Sequence, residues 1–169
     1  MVTAELLDLG RFDRVLSSVH SLATDGSTAE ASDAYLTREP AGVIREYLAE
    51  TLRMVQLFDA FEVLAHIDYP LRYWPYDVMP FDPGGFEEEY RVVLRELAGS
   101  GKVLELNTRV PMPRQILRWW YEEGGQHITF ASDAHDPDSL ARGFADAAAM
   151  AAACGFRSGR HPYDQWRRD

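Results

Sequence analysis

Four stretches of this sequence close apolar runs with side chains that can bind a metal or a phosphate. They are His20, His66 with Asp68, Asn107 with Arg109, and Asp133 with His135. The most informative is Ile128-Thr-Phe-Ala-Ser-Asp-Ala-His135, which reads as a buried strand delivering a carboxylate and an imidazole to its C-terminal end. Neutral imidazoles and carboxylates are the donors that Zn²⁺, Mn²⁺ and Fe²⁺ accept. Such cations lower the pKa of a bound water toward ~7 and neutralise phosphoryl oxygens. A lone D-x-H is weak evidence, so the weight falls on what the other stretches supply.

The elements that position these residues follow a repeating pattern. A short helical pattern (Ala4, Leu6, Leu7, Leu9) leads into a strand from Val15 to Val19 that ends at His20. From Ser21 to Glu39 the composition turns to Ser, Thr, Ala, Asp and Gly, which reads as a long surface loop. Pro40 suits the first turn of a helix carrying Ile44, Leu48, Leu52 and Val55. Phe61 to His66 is a second strand, and Tyr69 to Pro83 an aromatic, proline-rich loop. Gly84 to Ala98 is helical, with Glu87, Glu88 and Glu89 where the helix dipole favours acids. Val103 to Asn107 is the third strand and Pro113 to Glu123 the next helix. The strand ending at His135 is followed by a helix over Ser139 to Ala153 and by a polar tail lying over the surface. Strand, loop and helix in fourfold succession mean βα units and a parallel sheet, whose chemistry sits at the C-terminal strand ends.

Composition narrows the partners. Among 169 residues, 17 basic and 27 acidic side chains give a formal charge of −10, which argues against nucleic acid or an anionic membrane. No apolar run approaches the ~20 residues of a membrane span, and a cytoplasmic protein is expected. The single cysteine, Cys154, has no second cysteine to pair with and reads as a packed thiol.

Taken together, these stretches resemble the C-terminal portion of the PHP (polymerase and histidinol phosphatase) family, in its histidinol-phosphatase branch. FDRVLSSVH (Phe12 to His20), FEVLAHID (Phe61 to Asp68), LELNT (Leu104 to Thr108) and ITFASDAH (Ile128 to His135) carry the likeness, with GFADAAAMAAACGF (Gly143 to Phe156) as the final helix. The resemblance implies an α/β fold, a partial, distorted β/α barrel whose first strands are missing. It occupies residues 1–156, with 157–169 a polar C-terminal tail. It also implies up to three divalent metals (Zn, Mn or Fe) and hydrolysis of a small-molecule phosphate monoester, L-histidinol phosphate, in histidine biosynthesis. Carried over, His20 and His66 bind one metal, Asp133 a second and His135 a third. Arg72, Arg109 and Asn107 are candidates for the substrate, with Arg109 preferred over Arg72 because it follows Asn107-Thr108. Asp68 is either a carboxylate supporting the metal ligands or a strand-end cap.

Other residues draw plainer readings. Tyr69, Tyr73, Trp74 and Tyr76 either roof a pocket or pack, while Trp119 and Trp120 pack on a helix. His127 and His161 are ordinary polar residues. The family's opening H-x-H strand and its metal-bridging glutamate have no counterpart among the five histidines and their neighbours. Each metal therefore keeps one or two ligands where ~3–4 are usual. Completion by a homo-oligomer or by a missing N-terminal segment would supply the rest. The other expectations are a non-catalytic remnant that binds a partner through its open barrel edge, or another PHP hydrolase such as a phosphodiesterase.

Overall fold

The computed structural model describes residues 10, 12–24 and 26–169. The helical pattern expected over residues 1–12 lies largely outside them. Strands β1 (Leu16–Ser17), β4 (Val63–Leu64), β5 (Val103–Asn107) and β6 (His127–Ala131) form adjacent parallel pairs in that order. The parallel sheet anticipated from the strand–helix succession is therefore present, and all four C-terminal strand ends face the same way. Between them run helices α2 (Pro40–Leu57), α3 (Glu87–Gly99) and α4 (Arg114–Glu122), and α5 (Phe144–Ala153) follows β6.

Local chemistry explains the helices. Pro40 opens α2 while the Glu39 carboxylate accepts from the Gly42 N–H at 2.8 Å, an N-terminal cap. Val43, Ile44, Tyr47, Leu48, Thr51 and Val55 then make one buried face of that helix. All but Thr51, whose hydroxyl donates to the Tyr47 carbonyl, pack with Leu64, Leu94, Leu104 and Ile128 in one apolar core.

Three expectations change. The stretch Ser21 to Glu39 is not a loop: β2 (Ser21–Thr24) and β3 (Ser27–Glu30) form an antiparallel hairpin, followed by α1 (Ala31–Thr37). Its Ser- and Thr-rich faces are exposed, but Leu22, Ala31 and Ala34 are buried, and small residues hide an inward face from a composition-based reading. Gly26, at φ +80°, supplies the left-handed turn residue. The tail does not merely lie over the surface. Trp166–Arg168 (β8) pairs antiparallel with β6 and with Phe156–Arg157 (β7), and Trp166 packs on Phe130 at 5.1 Å. Finally, β6 is less buried than its apolar sequence suggests, with Ile128 alone fully enclosed.

Smaller differences occur at helix ends. Tyr69–Tyr73 is a 3-10 helix rather than irregular loop. The helix expected from Ser139 begins only at Phe144, because the Asp136 carboxylate captures the Ser139 N–H in a short 3-10 turn over Pro137–Ser139. Left-handed Ala141 and Gly143 then separate that turn from α5.

Gly125 makes a test of the packing. A Cβ there would stand 2.0 Å from the indole of Trp120, which is fully buried. Gly125→Ala is expected to destabilise the protein by ~3 kcal/mol through overpacking, read as a lower midpoint in urea unfolding.

Candidate active site

The four strand ends bring the expected residues into two neighbouring groups. In the first, the His20 and His66 rings lie 5.0 Å apart between centroids, and Tyr69 packs on both, at 4.6 and 5.3 Å. In the second, His135 Nδ1 lies 2.8 Å from the Asp133 carbonyl oxygen. Arg72 lies between the groups. Its guanidinium stacks 4.8 Å from the Tyr69 ring centre and ion-pairs with Asp133 Oδ2 at 2.5 Å. Arg109 Nη1 approaches the same Asp133 oxygen at 3.4 Å and His135 Nδ1 at 2.9 Å.

Backbone strain marks both groups. His66 sits at φ +30° and Asp133 at φ +47°, conformations that non-glycine residues rarely adopt and that functional sites often hold. The backbone of His66 is fastened on both sides: its N–H donates to Glu105 Oε1 at 3.2 Å, and its carbonyl accepts from the Tyr47 hydroxyl at 3.1 Å.

The electrostatics suit metal donors on one side and an anchored carboxylate on the other. Burial, helped by the nearby charge of Arg72, pushes the His66 imidazole down to about 4, so it is neutral at pH 7. Its Nδ1 is buried without a hydrogen-bond partner. Partial burial works to raise Asp133, but Arg72, then Arg109, outweigh it and hold this carboxyl below its usual range. Among the described residues, no group of three or more His, Cys, Asp or Glu side chains is close enough to hold a metal. The imidazole pair and the Asp133–His135 pair would each offer a cation at most two side-chain donors, and Asp133 Oδ2 is already paired with Arg72.

Asp68 is buried, with Oδ2 unpartnered, and burial pushes its carboxyl up to about 7. It stands at the start of the 3-10 helix, where its side chain makes no helix-capping hydrogen bond. A carboxyl raised on folding stabilises the protein at low pH, where both states are protonated. That contribution is lost as pH rises from about 4 toward about 7, because the unfolded chain releases its proton first. Asp68→Asn is therefore expected to flatten the fall in stability across this window and to melt higher than wild type at pH 8.

The remaining candidates separate by depth. The Arg72 side chain is 12% exposed and that of Arg109 44%, so the structure builds Arg72 more deeply into the site than the sequence order suggested. Asn107, expected to face a substrate, is turned inward: its Nδ2 donates to Glu105 at 3.0 Å and its Oδ1 accepts from the Arg109 N–H at 3.0 Å. Of the aromatic set, Tyr69 faces the imidazoles, whereas Trp74 is buried against Phe81 and Phe86. Trp119 and Trp120 pack in the core as read, and His161 stacks on Tyr163 away from the site.

Glu105 was missed by the sequence reading. It is 2% exposed in the middle of a wholly buried strand, and its only sequence signal was a carboxylate between two leucines. A polar cavity of about 180 Å³ opens beside the second group, lined by Thr108, Arg109, Ser132, Asp133, His135 and Arg142 among others. A larger cavity, about 540 Å³, includes His127, the first residue of β6, and so lies at the opposite strand end.

No family model matches the chain. A histidinol-phosphatase of Lactococcus lactis is 33% identical over 138 residues, which is 78% of this chain and 51% of that protein. A protein named "probable histidinol-phosphatase" from Clostridium acetobutylicum is 28% identical over 157 residues, 89% of this chain and 61% of its own length. The crystal structure of a Lactococcus lactis histidinol phosphate phosphatase, complexed with zinc, L-histidinol and phosphate, superposes with a TM-score of 0.75 and 29% identity. It covers 91% of this chain and 61% of its own. The chain thus spans between half and two thirds of the length of these relatives. Over most of its own length, it is similar in sequence and in fold to the histidinol-phosphatases.

Proposed function

We infer that this chain carries the C-terminal part of a PHP-type phosphoesterase site that hydrolyses L-histidinol phosphate to histidinol and phosphate. The observation that carries the reading is the convergence of His20–His66 and Asp133–His135 on either side of Arg72, on parallel strand ends. The likeness to a histidinol phosphate phosphatase crystallised with zinc, L-histidinol and phosphate supports it. His20 and His66 would hold one divalent cation, Asp133 a second and His135 a third, with the sheet as part of a distorted β/α barrel. When bound, the cations supply an activated water and neutralise phosphoryl charge.

The residues of the chain do the rest. Arg72 and Arg109 present guanidinium forks to phosphoryl oxygens. Arg109 also lines the 180 Å³ polar cavity. The neutral, buried Nδ1 of His66 keeps a lone pair for a cation. Tyr69 packs on the imidazole pair and, with Tyr73, whose hydroxyl lies 3.4 Å from its own, would offer aromatic faces to a substrate ring.

Elemental analysis of the purified, buffer-exchanged chain tests this reading. One or more Zn, Mn or Fe per chain is expected. Far less than one would overturn it in favour of a second reading, a non-catalytic, partner-binding module. The observation favouring that alternative is the lack of a three-donor group among the described residues. Activity on a phosphodiester but not a monoester would instead select another PHP hydrolase.

A further inference from the structure

Glu105 contributes to neither donor pair, yet three hydrogen bonds connect it to both groups. Its Oε1 accepts from the His66 backbone N–H at 3.2 Å and from Asn107 Nδ2 at 3.0 Å. Asn107 Oδ1 in turn accepts from the Arg109 backbone N–H at 3.0 Å. A buried carboxylate in the middle of a strand is costly unless its bonds are well used.

The strand ladder shows what those bonds replace. Register between β4 and β5 runs through Val63↔Val103 and Leu64↔Leu104 and goes no further. Ala65 donates its N–H to Ser17 on the other side, at 2.9 Å. His66 is the next residue toward β5, and its N–H meets the Glu105 side chain where a ladder carbonyl would otherwise stand. Relieved of the ladder, the chain turns at His66 to φ +30° and lays the imidazole against His20 and Tyr69.

We propose that Glu105 is the positioning residue of this site: through Oε1 it holds His66 in its left-handed turn and, through Asn107, sets the loop that carries Arg109. This rests on the reading of His66 as a metal donor, and the carboxylate acts only through other residues. The inference separates hydrogen bonding from charge, because a glutamine retains an acceptor oxygen at the same place whereas a methionine of similar length retains none.

The test is NMR on the metal-free chain, followed by titration with Zn²⁺ alone, for wild type, Glu105→Gln and Glu105→Met. Wild type and Glu105→Gln should show proton contacts between the His66 ring and those of His20 and Tyr69. Glu105→Met should lose them, with Zn²⁺ affinity falling ~10–100-fold while Glu105→Gln stays near wild type. Retention of ring contacts and affinity in Glu105→Met would overturn the proposal, as would Glu105→Gln failing in the same way as Glu105→Met. Should Glu105→Met not fold, the His66 amide proton decides. Its protection from solvent exchange should persist in Glu105→Gln, which keeps the acceptor oxygen, and loss of that protection there would overturn the proposal. Wild type that binds no Zn²⁺ would sink the donor reading of His66, while the ring contacts would still decide the role of Glu105.

Discussion

Replacing His66 with alanine is expected to reduce metal-dependent phosphate release at least ~1000-fold, a loss of ~4 kcal/mol in transition-state stabilisation. The imidazole is the best-prepared donor in the site. It is buried, neutral at pH 7 with its pKa pushed down to about 4, unpartnered at Nδ1, and 5.0 Å between centroids from its companion His20. Removing it leaves His20, an exposed side chain, alone at that end of the cluster. Since alanine tolerates φ +30° poorly, His66→Asn is the paired control: asparagine accepts the left-handed conformation, so loss of activity in both variants isolates the imidazole. Undiminished phosphate release from either would sink the assignment. A melting curve near wild type for His66→Asn would show that the loss is not one of folding.

The second large effect is expected at Arg72. Arg72→Met should lower kcat/KM for a phosphate monoester by ~100-fold, because a guanidinium facing a phosphoryl group supplies charge-assisted, two-pronged hydrogen bonds. Lysine at this position should recover only part of the loss, being a point charge without the planar fork. The same substitution should leave Zn²⁺ affinity undiminished. Arg72 neutralises Asp133 at 2.5 Å, and a cation at that carboxylate would compete with it. A drop in Zn²⁺ affinity as large as the drop in kcat/KM would contradict this division of labour. It would place Arg72 among the supports of the metal donors instead.

How far these side chains could be read from the sequence depended on whether their partners were local. The strands were legible as apolar runs, but β1, β4 and β6 stop two to four residues before His20, His66 and His135, which lie in the loops that follow. The parallel order followed from the alternation of strands and helices. The hairpin over Ser21–Glu30 was illegible by composition, since Leu22 is its one buried residue among those described and the strands are otherwise small or polar. Within the site, residue types were visible and orientations were not. Asn107 bonds to Glu105 two residues away and so points inward, which only the three-dimensional path of β5 decides. Glu105 bonds to a backbone N–H 39 residues distant, and nothing in LELNT reveals that. The greater depth of Arg72 comes from the 3-10 helix over Tyr69–Tyr73, which folds it over Tyr69 toward Asp133. An aromatic, proline-rich stretch read as a loop gives no such direction.

The central claim is that this constellation hydrolyses a phosphate monoester with the help of divalent cations. The most direct measurement is inorganic phosphate released from L-histidinol phosphate by the purified full chain, with added Zn²⁺ or Mn²⁺ and again after chelation. The expected result is release that saturates with substrate, disappears with chelator and returns when the metal is restored. Release that persists unchanged in the chelator, or no release from a chain that demonstrably binds the metal, would contradict it.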